Sequence, residues 1–212
     1  MKRNKMVIAL CLLAAFVLWT VAVRVVDVQV IGPNGSSVGF SAVNQFVHEL
    51  TGVHLELYHV TDWLGLVPVF VCMGFGVLGL VQWIRRKSIC KVDFDILVLG
   101  GFYAVTIAAY LLFEWAVINY RPVLINGALE ASYPSSTTML VLCVMPTALL
   151  QLNSRLKCGV LRKAISIAII GFVAFMIIGR LISGVHWFTD IVGGVLLSAG
   201  LVRLYAAVST KR

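Results

Sequence analysis

Six long apolar stretches constrain the fold of this chain more than any other feature of its sequence. They run over approximately residues 6–26, 63–84, 96–119, 136–152, 164–183 and 187–205. A helix needs about 20 apolar residues to cross the hydrocarbon core of a bilayer, so each stretch is a candidate span. Hydrophobic residues make up 60% of the chain and charged residues 12%, against about 45–50% and about 25% in soluble domains. We therefore predict an all-α, polytopic membrane protein with six transmembrane helices, in which residues 1–212 form one domain.

Basic residues lie in alternate connections between these stretches and predict the orientation of the chain. The clusters are Lys2, Arg3 and Lys5; Arg85, Arg86, Lys87 and Lys91; Arg155, Lys157, Arg162 and Lys163; and Lys211 and Arg212. The positive-inside rule places all of them, and both termini, in the cytoplasm, together with the loop cysteines Cys90 and Cys158. We interpret the first stretch as a retained span, because it is long for a signal peptide. The net charge of +8 then reflects topology, and no nucleic-acid partner is expected.

The connection over residues 27–62 is longer than a turn and is predicted to lie on the outer side. Phe40, Phe46 and Leu50 belong to an apolar set at helical spacing, which predicts a short amphipathic helix at the membrane interface. The histidines of this connection are interpreted as solvated or interfacial residues: His48, His54 and His59.

Polar residues that hydropathy does not explain gather in residues 114–138 and 179–190, at the predicted outer ends of spans. An ionisable side chain at such a depth is costly and marks a functional site. Arg121 and Arg180 carry planar guanidinium groups that match phosphate oxygens. The run Pro134-Ser135-Ser136 reads as the start of a helix, where free backbone N–H groups and hydroxyls bind anions. Together these features predict a phosphate site facing outwards.

His186 and Asp190 complete this predicted site. They are four residues apart, so they share a helix face if the last helix begins by His186, and the carboxylate then orients the imidazole. A histidine held in this way beside two arginines is able to act as a nucleophile toward phosphorus.

At these residues the chain resembles the phosphatidic acid phosphatase type 2 superfamily of membrane lipid phosphatases. The family pattern reads Lys, six residues, Arg-Pro; then Pro-Ser-Gly-His; then Ser-Arg, five residues, His, three residues, Asp. Residues 121–122 match the first block, residues 134–135 the second, and Arg180, His186 and Asp190 the third. The resemblance implies that His186 forms a phosphohistidine and that Asp190 orients it. The substrate-binding residues it implies, taken with the predicted helix start, are Arg121, Ser135, Ser136, Thr137 and Arg180.

The chain departs from the family pattern at four positions. Glu114 stands in place of Lys, Ser136 in place of Gly, Thr137 in place of the second His, and Gly179 in place of Ser. The missing histidine is the family's general acid, and a threonine does not protonate a leaving alkoxide near neutral pH. We expect Glu114 to form a structural ion pair with an arginine at the floor of the site.

Several outcomes follow from the missing acid. The substrate is a lipid diphosphate, whose leaving phosphate needs less protonation; or another group donates the proton; or the chain binds or transfers lipid phosphate without hydrolysing it. The candidate donors are His48, His54, His59, Tyr120, Tyr133 and Glu114. A small transporter is a further alternative, although the polar groups gather at one face and not at the midplane.

The sequence thus predicts an integral protein of a bacterial plasma membrane that hydrolyses a lipid phosphate or diphosphate, such as phosphatidic acid or undecaprenyl diphosphate, on the outer face. The arginines and the helix start supply the positive field, so this chemistry requires no metal or other cofactor. The sequence does not specify the oligomeric state.

Overall fold

Long helices form the framework of the computed structural model, which describes residues 2–209. Met1 and the predicted cytoplasmic pair Lys211 and Arg212 lie outside the described residues. The helices are α1 (Lys2–Val25), α2 (Ser41–Thr51), α3 (Leu55–Leu64), α4 (Leu66–Arg86), α5 (Phe94–Trp115), α6 (Ser136–Arg155), α7 (Gly159–Ile182) and α8 (Phe188–Val208).

Six helical segments of the described chain are long and apolar enough to cross a membrane. They are Arg3–Val25, Leu55–Arg86, Phe94–Trp115, Ser136–Arg155, Gly159–Ile182 and Phe188–Val208. The prediction of an all-α protein with six membrane-spanning helices is therefore confirmed.

The second of these segments begins at Leu55 and not near residue 63 as predicted. Its first part, α3, carries Glu56, His59 and Asp62, which lower the mean hydropathy and hide the helix from a search for apolar stretches. Gly65 separates α3 from α4. The predicted amphipathic helix corresponds to α2, so the outer connection contains a second helix that the sequence analysis did not identify.

A short hairpin precedes α2 and was not predicted. Strands β1 (Gln29–Val30) and β2 (Ser37–Val38) pair antiparallel, with Gln29 opposite Val38. The backbone then passes so close to α1 that a Cβ on Gly39 would lie 1.7 Å from the carbonyl oxygen of Val23. This contact holds the outer connection against the end of the first helix.

The core lies where α1, α5, α6 and α8 meet. Its members are Phe16, Leu99, Phe102, Tyr133, Met139, Leu197, Leu201 and Tyr205, with smaller neighbours. Near the predicted outer end, Gly193 of α8 leaves room for the ring of Tyr133, which would lie 2.6 Å from a Cβ at that position. The Tyr133 hydroxyl is 2.7 Å from that of Thr20 on α1. The loop before α6 is thereby fixed against two helices, and this loop carries part of the candidate site.

Candidate active site

The first turn of α6 contacts the first turn of α8, as the two polar segments of the sequence suggested. Ser135 is the residue before α6, and its backbone N–H donates to the Asp190 carbonyl oxygen at 3.1 Å. Its hydroxyl is fully buried and has no hydrogen-bond partner among the described residues. The predicted helix start is confirmed, and it leaves a buried donor beside α8.

His186 and Asp190 come together, but not on one helix face as predicted. Helix α8 begins at Phe188, so His186 lies in the preceding loop. The His186 Nδ1 atom is 3.8 Å from Asp190 Oδ2. Ser132 connects them, because its Oγ lies 3.1 Å from His186 Nδ1 and its hydroxyl donates to Asp190 Oδ2. The loop before α8, and not a shared helix face, therefore brings His186 near Asp190.

Asp190 accepts further hydrogen bonds that fix its carboxylate. The backbone N–H of Trp187 donates to Oδ2 at 2.9 Å, and Asn119 Nδ2 donates to Oδ1 at 3.3 Å. With the Asp190 carboxylate as acceptor, the Ser132 hydroxyl donates a hydrogen bond to Oδ2, and the Ser132 oxygen accepts a hydrogen bond from His186 Nδ1–H. This direction assigns the hydrogen of His186 to Nδ1 and leaves a lone pair on Nε2.

The Nε2 atom of His186 faces Arg180, whose Nη2 donates to it at 3.3 Å. Burial and the positive charges of Arg180 and Arg121 hold the pKa of His186 well below its ordinary value of 6.5. The imidazole is therefore neutral near pH 7, which is the protonation state that a nucleophile requires.

The two arginines come from different parts of the chain and are both buried. Arg180, at the end of α7, has 1% of its surface exposed, and its Nη1 lies 3.4 Å from Thr61 Oγ1 and 3.7 Å from Asp62 Oδ1. Arg121 follows α5 in the loop, and its Nε lies 3.1 Å from Glu130 Oε2. The atoms Arg180 Nε and Arg121 Nη1 have no hydrogen-bond partner among residues 2–209.

Tyr58 of α3 contacts both arginines, and the sequence analysis gave it no role. The guanidinium carbon of Arg180 is 4.9 Å from the centre of the Tyr58 ring, and that of Arg121 is 5.6 Å from it. No sequence signal identified Tyr58, because the two arginines that it contacts are more than sixty positions away along the chain. Ser132 and Asn119, in contrast, lie within the polar segment 114–138 that the sequence marked.

Ser136, Thr137 and Glu114 line cavities beside this cluster. A cavity of about 370 Å³ opens between α4, α5 and α6, and Ser136 and Thr137 lie on its wall with Leu66 and Ile107. No hydrogen bond or ion pair in the described chain joins Thr137 to Arg121, Arg180 or His186.

Glu114 does not form the ion pair that we expected. It is exposed, and no ion pair of Glu114 occurs within residues 2–209; Arg121 pairs with Glu130 instead. The expected ion pair assumed that the helix continues from Glu114 to Arg121, but α5 ends at Trp115. Glu114 and Glu130 line a second cavity, of about 530 Å³, together with Arg121 and Ser136.

None of the candidate proton donors forms a hydrogen bond to His186, Arg121 or Arg180 in the described part of the chain. His48 packs against Trp187 with 5.5 Å between ring centres, and burial lowers its pKa. His54 and His59 are exposed, and Tyr133 is buried against Thr20. Tyr120 contributes its carbonyl oxygen to the Trp187 indole N–H at 2.7 Å.

The arrangement combines a neutral, oriented imidazole with two guanidinium groups and a buried hydroxyl, and it is therefore suited to binding a tetrahedral anion. Within residues 2–209, no three His, Cys, Asp or Glu side chains are placed to hold a metal ion.

Comparison with known proteins gives two matches. The sequence model of the PAP2 superfamily matches residues 98–212, more than half of the chain. A solved structure, that of a transmembrane PAP2-type phosphatidylglycerolphosphate phosphatase from Bacillus subtilis, matches with a TM-score of 0.62 and 21% sequence identity, over 93% of this chain and 94% of that one. At this identity the likeness shows a shared fold. No curated protein sequence matches the chain.

Proposed function

This integral membrane protein belongs to the PAP2 superfamily, and from that premise we propose that it is a membrane lipid phosphatase acting through His186. The substrate is a lipid phosphate or diphosphate, the site faces the outer side of the membrane, and the phosphoryl group passes through a phosphohistidine.

One observation carries the proposal: residues of the His186 cluster carry buried donors that have no partner in the described chain. Arg121 Nη1, Arg180 Nε and the Ser135 hydroxyl are buried and have no hydrogen-bond partner in the described chain. Leaving a buried donor unpaired costs about 1–3 kcal/mol. A phosphoryl group supplies the acceptor oxygens that these donors lack, and charged donors bind such oxygens more strongly than neutral ones.

The geometry supports the following reaction. The lone pair of His186 Nε2 attacks phosphorus, a P–N bond forms, and the bond from phosphorus to the leaving oxygen breaks with its electron pair on that oxygen. The positive charge that develops on the imidazole is stabilised through Nδ1–H, Ser132 and the Asp190 carboxylate. Water then attacks phosphorus, gives up a proton to the surrounding solvent and displaces His186 Nε2, so that phosphate is released. The arginines stabilise the equatorial oxygens in both steps.

The position of Thr137 limits the choice of leaving group. Thr137 lies on the wall of the apolar cavity and forms no hydrogen bond to the cluster. A leaving phosphate is a much weaker base than an alkoxide, so a diphosphate places less demand on an acid. The absence of the family histidine therefore favours a lipid diphosphate, such as undecaprenyl diphosphate, over a phosphate monoester.

The cavity between α4, α5 and α6 supports a lipid as the substrate. Leu66, Val69 and Ile107 line it, and Ser136 at its polar end also lines the cavity that contains Arg121. A lipid with its acyl or prenyl chain among these apolar residues has its phosphate near the start of α6.

The alternative function is a lipid-phosphate binding protein or a phosphotransferase without hydrolytic turnover. The same observation on Thr137 favours it, since loss of general acid catalysis costs about 10²–10⁴ in rate. In this alternative the buried donors still bind the phosphate, but no phosphate is released to water.

Phosphate release by the purified protein distinguishes these functions. The substrates are phosphatidic acid, phosphatidylglycerol phosphate and undecaprenyl diphosphate, and the variants are His186→Ala and, as a control, Gln45→Ala, at an exposed position of α2. We expect release from at least one lipid that disappears in His186→Ala and persists in Gln45→Ala. No release from any lipid by the wild-type protein, with lipid phosphate still bound, would establish the alternative. Release that persists in His186→Ala would contradict the phosphohistidine.

A further inference from the structure

We propose that Tyr58 is a positioning residue that holds Arg121 and Arg180 at the spacing a phosphoryl group requires. This inference rests on the proposed function and adds to it a residue from α3, which lies outside the region matched by the family model.

The ring of Tyr58 contacts both guanidinium groups at once. The distances from ring centre to guanidinium carbon are 4.9 Å for Arg180 and 5.6 Å for Arg121. Both fall inside the range of about 6 Å over which a cation is attracted to an aromatic ring. Tyr58 is 8% exposed and packs with Ile125 and Val185. The ring is therefore itself fixed, and it offers one apolar, electron-rich surface to two positive charges.

The two guanidinium groups repel each other, and the Tyr58 ring attracts both of them. Each arginine also has a carboxylate within reach. Arg121 Nε is 3.1 Å from Glu130 Oε2, and Arg180 Nη1 is 3.7 Å from Asp62 Oδ1. Both carboxylates are partly exposed. Repulsion between the guanidinium groups acts to separate the arginines, and each carboxylate pairs with only one of them. Contact with Tyr58 opposes that separation.

The role belongs to the ring and not to the hydroxyl. Within residues 2–209 the Tyr58 hydroxyl forms no hydrogen bond to another side chain, whereas the ring contacts both cations. Tyr58→Phe keeps the ring, and Tyr58→Leu removes it while keeping an apolar side chain. Glu130→Gln in the Tyr58→Leu background removes the acid that competes for Arg121.

The experiment measures the dissociation constant of orthovanadate, a phosphate mimic, together with kcat and KM for the best lipid substrate. We expect Tyr58→Leu to weaken vanadate binding by at least about tenfold and to raise KM by a similar factor. Tyr58→Phe should stay within about threefold of wild type, since the ring attraction is retained. Glu130→Gln should recover part of the affinity lost in Tyr58→Leu.

Tyr205→Leu is the matched control for packing. Tyr205 is as deeply buried as Tyr58, packs on Phe102 and lies at the other end of the helices. Its loss should lower the thermal midpoint and leave vanadate affinity unchanged. If Tyr58→Leu does not fold, Tyr58→Met replaces it as a second non-aromatic variant.

The outcomes separate the inference from the function on which it rests. Wild-type affinity in Tyr58→Leu, a loss in Tyr58→Phe equal to that in Tyr58→Leu, or an equal loss in Tyr205→Leu would each overturn the role of the ring, with the wild-type protein still binding vanadate. A wild-type protein that neither binds vanadate nor releases phosphate would instead overturn the proposed function and the inference together.

Discussion

Ser132 is the side chain through which His186 and Asp190 act on each other. Direct contact between the imidazole and the carboxylate is replaced by one hydroxyl, with Nδ1 and Oδ2 3.8 Å apart. The hydroxyl bonds to both groups and fixes the tautomer in which Nε2 carries no hydrogen and accepts from Arg180. The orienting contact that the family resemblance implied for Asp190 is therefore indirect in this chain.

Replacing Ser132 by alanine should slow the reaction at saturating substrate. The change leaves a buried Nδ1–H without an acceptor and weakens the stabilisation of the phosphohistidine, so kcat should fall about tenfold to a hundredfold. Ser198→Ala is the control, because Ser198 is equally buried but donates to the Met139 carbonyl oxygen. Equal kcat values for the two variants would show that Ser132 does not orient the imidazole.

The lowered pKa of His186 gives a second prediction at this scale. The folded state keeps this imidazole neutral below pH 6.5, whereas the unfolded chain takes up the proton there. His186 therefore contributes no pH-dependent stability above about pH 6.5 and destabilises the fold as the pH falls below it. A carbon-labelled histidine NMR titration should show one imidazole, absent in His186→Ala, that does not titrate between about pH 7.5 and 6, around the ordinary histidine pKa. An ordinary midpoint for this signal would contradict the buried, cation-flanked position.

The predicted site residues that the structure brings together share a recognisable local pattern. Arg121 and Ser135 adjoin prolines, and Arg180, His186 and Asp190 stand at fixed spacing from one another. The structure joins Ser135, Arg180, His186 and Asp190 through direct contacts, and Arg121 shares the Tyr58 ring with Arg180. The contacts of Tyr58 with the arginines depend on how α3 packs against α7, and no local spacing encodes that packing. Thr137 was expected at the site, but its side chain lines the neighbouring cavity.

At the scale of elements, the loop between α7 and α8, which carries His186, packs against the turn between α2 and α3. Gly184 has φ +68°, and a Cβ there would lie 1.9 Å from the Gly52 carbonyl oxygen. The backbone N–H of His54 donates to the Ser183 carbonyl oxygen at 3.0 Å beside this contact. The outer connection is thus part of the wall of the candidate site.

Gly184→Ala should disturb this contact. The methyl group conflicts with Gly52 and the backbone angle is unfavourable for alanine, so we expect a lower thermal midpoint and a large loss of activity. Gly171 lies inside α7 with open space around it, so Gly171→Ala should keep the wild-type activity and should keep or raise the thermal midpoint of unfolding. Wild-type activity in Gly184→Ala would show that the loop tolerates displacement.

The sequence predicted those elements whose hydrophobic pattern is simple. The apolar stretches predicted the spans, and the spacing of Val43, Phe46 and Leu50 predicted α2, whereas Phe40 of the same apolar set precedes the helix. It did not give α3, because Glu56, His59 and Asp62 place polar groups on a helix that extends the second span. The two-residue strands of the hairpin are too short for a period of two to be visible.

At the scale of the whole molecule, the distribution of charge predicts which side of the membrane the site faces. The basic loop residues that flank α4 and α5, and those that flank α6 and α7, lie at the ends of helices opposite to the candidate site. Among these charges, Arg86 pairs with Asp93 at the start of α5 at 2.8 Å, and the hydrogen bond from Arg86 lowers the pKa of the Asp93 carboxyl. The site should therefore face outwards, with these loops in the cytoplasm.

Cysteine labelling in intact cells checks this orientation. Cys90 and Cys158 are exposed in the predicted cytoplasmic loops, whereas Ser37 is exposed in the hairpin on the side of the site. A membrane-impermeant maleimide should label Ser37→Cys in intact cells and should label Cys90 and Cys158 only after the membrane is permeabilised. Labelling of Cys90 or Cys158 in intact cells, with Ser37→Cys protected, would show that the protein has the opposite orientation in the membrane.

The hydrogen bond from Arg180 to His186 Nε2 has a consequence for the selectivity of the protein. At rest the lone pair that would attack a substrate is occupied by a neighbouring cation. An approaching dianion competes for that cation and releases the lone pair, so recognition and activation become a single event. An uncharged electrophile, such as a lipid ester, offers the guanidinium no better partner and leaves the histidine blocked. With His186 as the proposed nucleophile, we therefore expect the protein to resist acylation among a large excess of membrane esters.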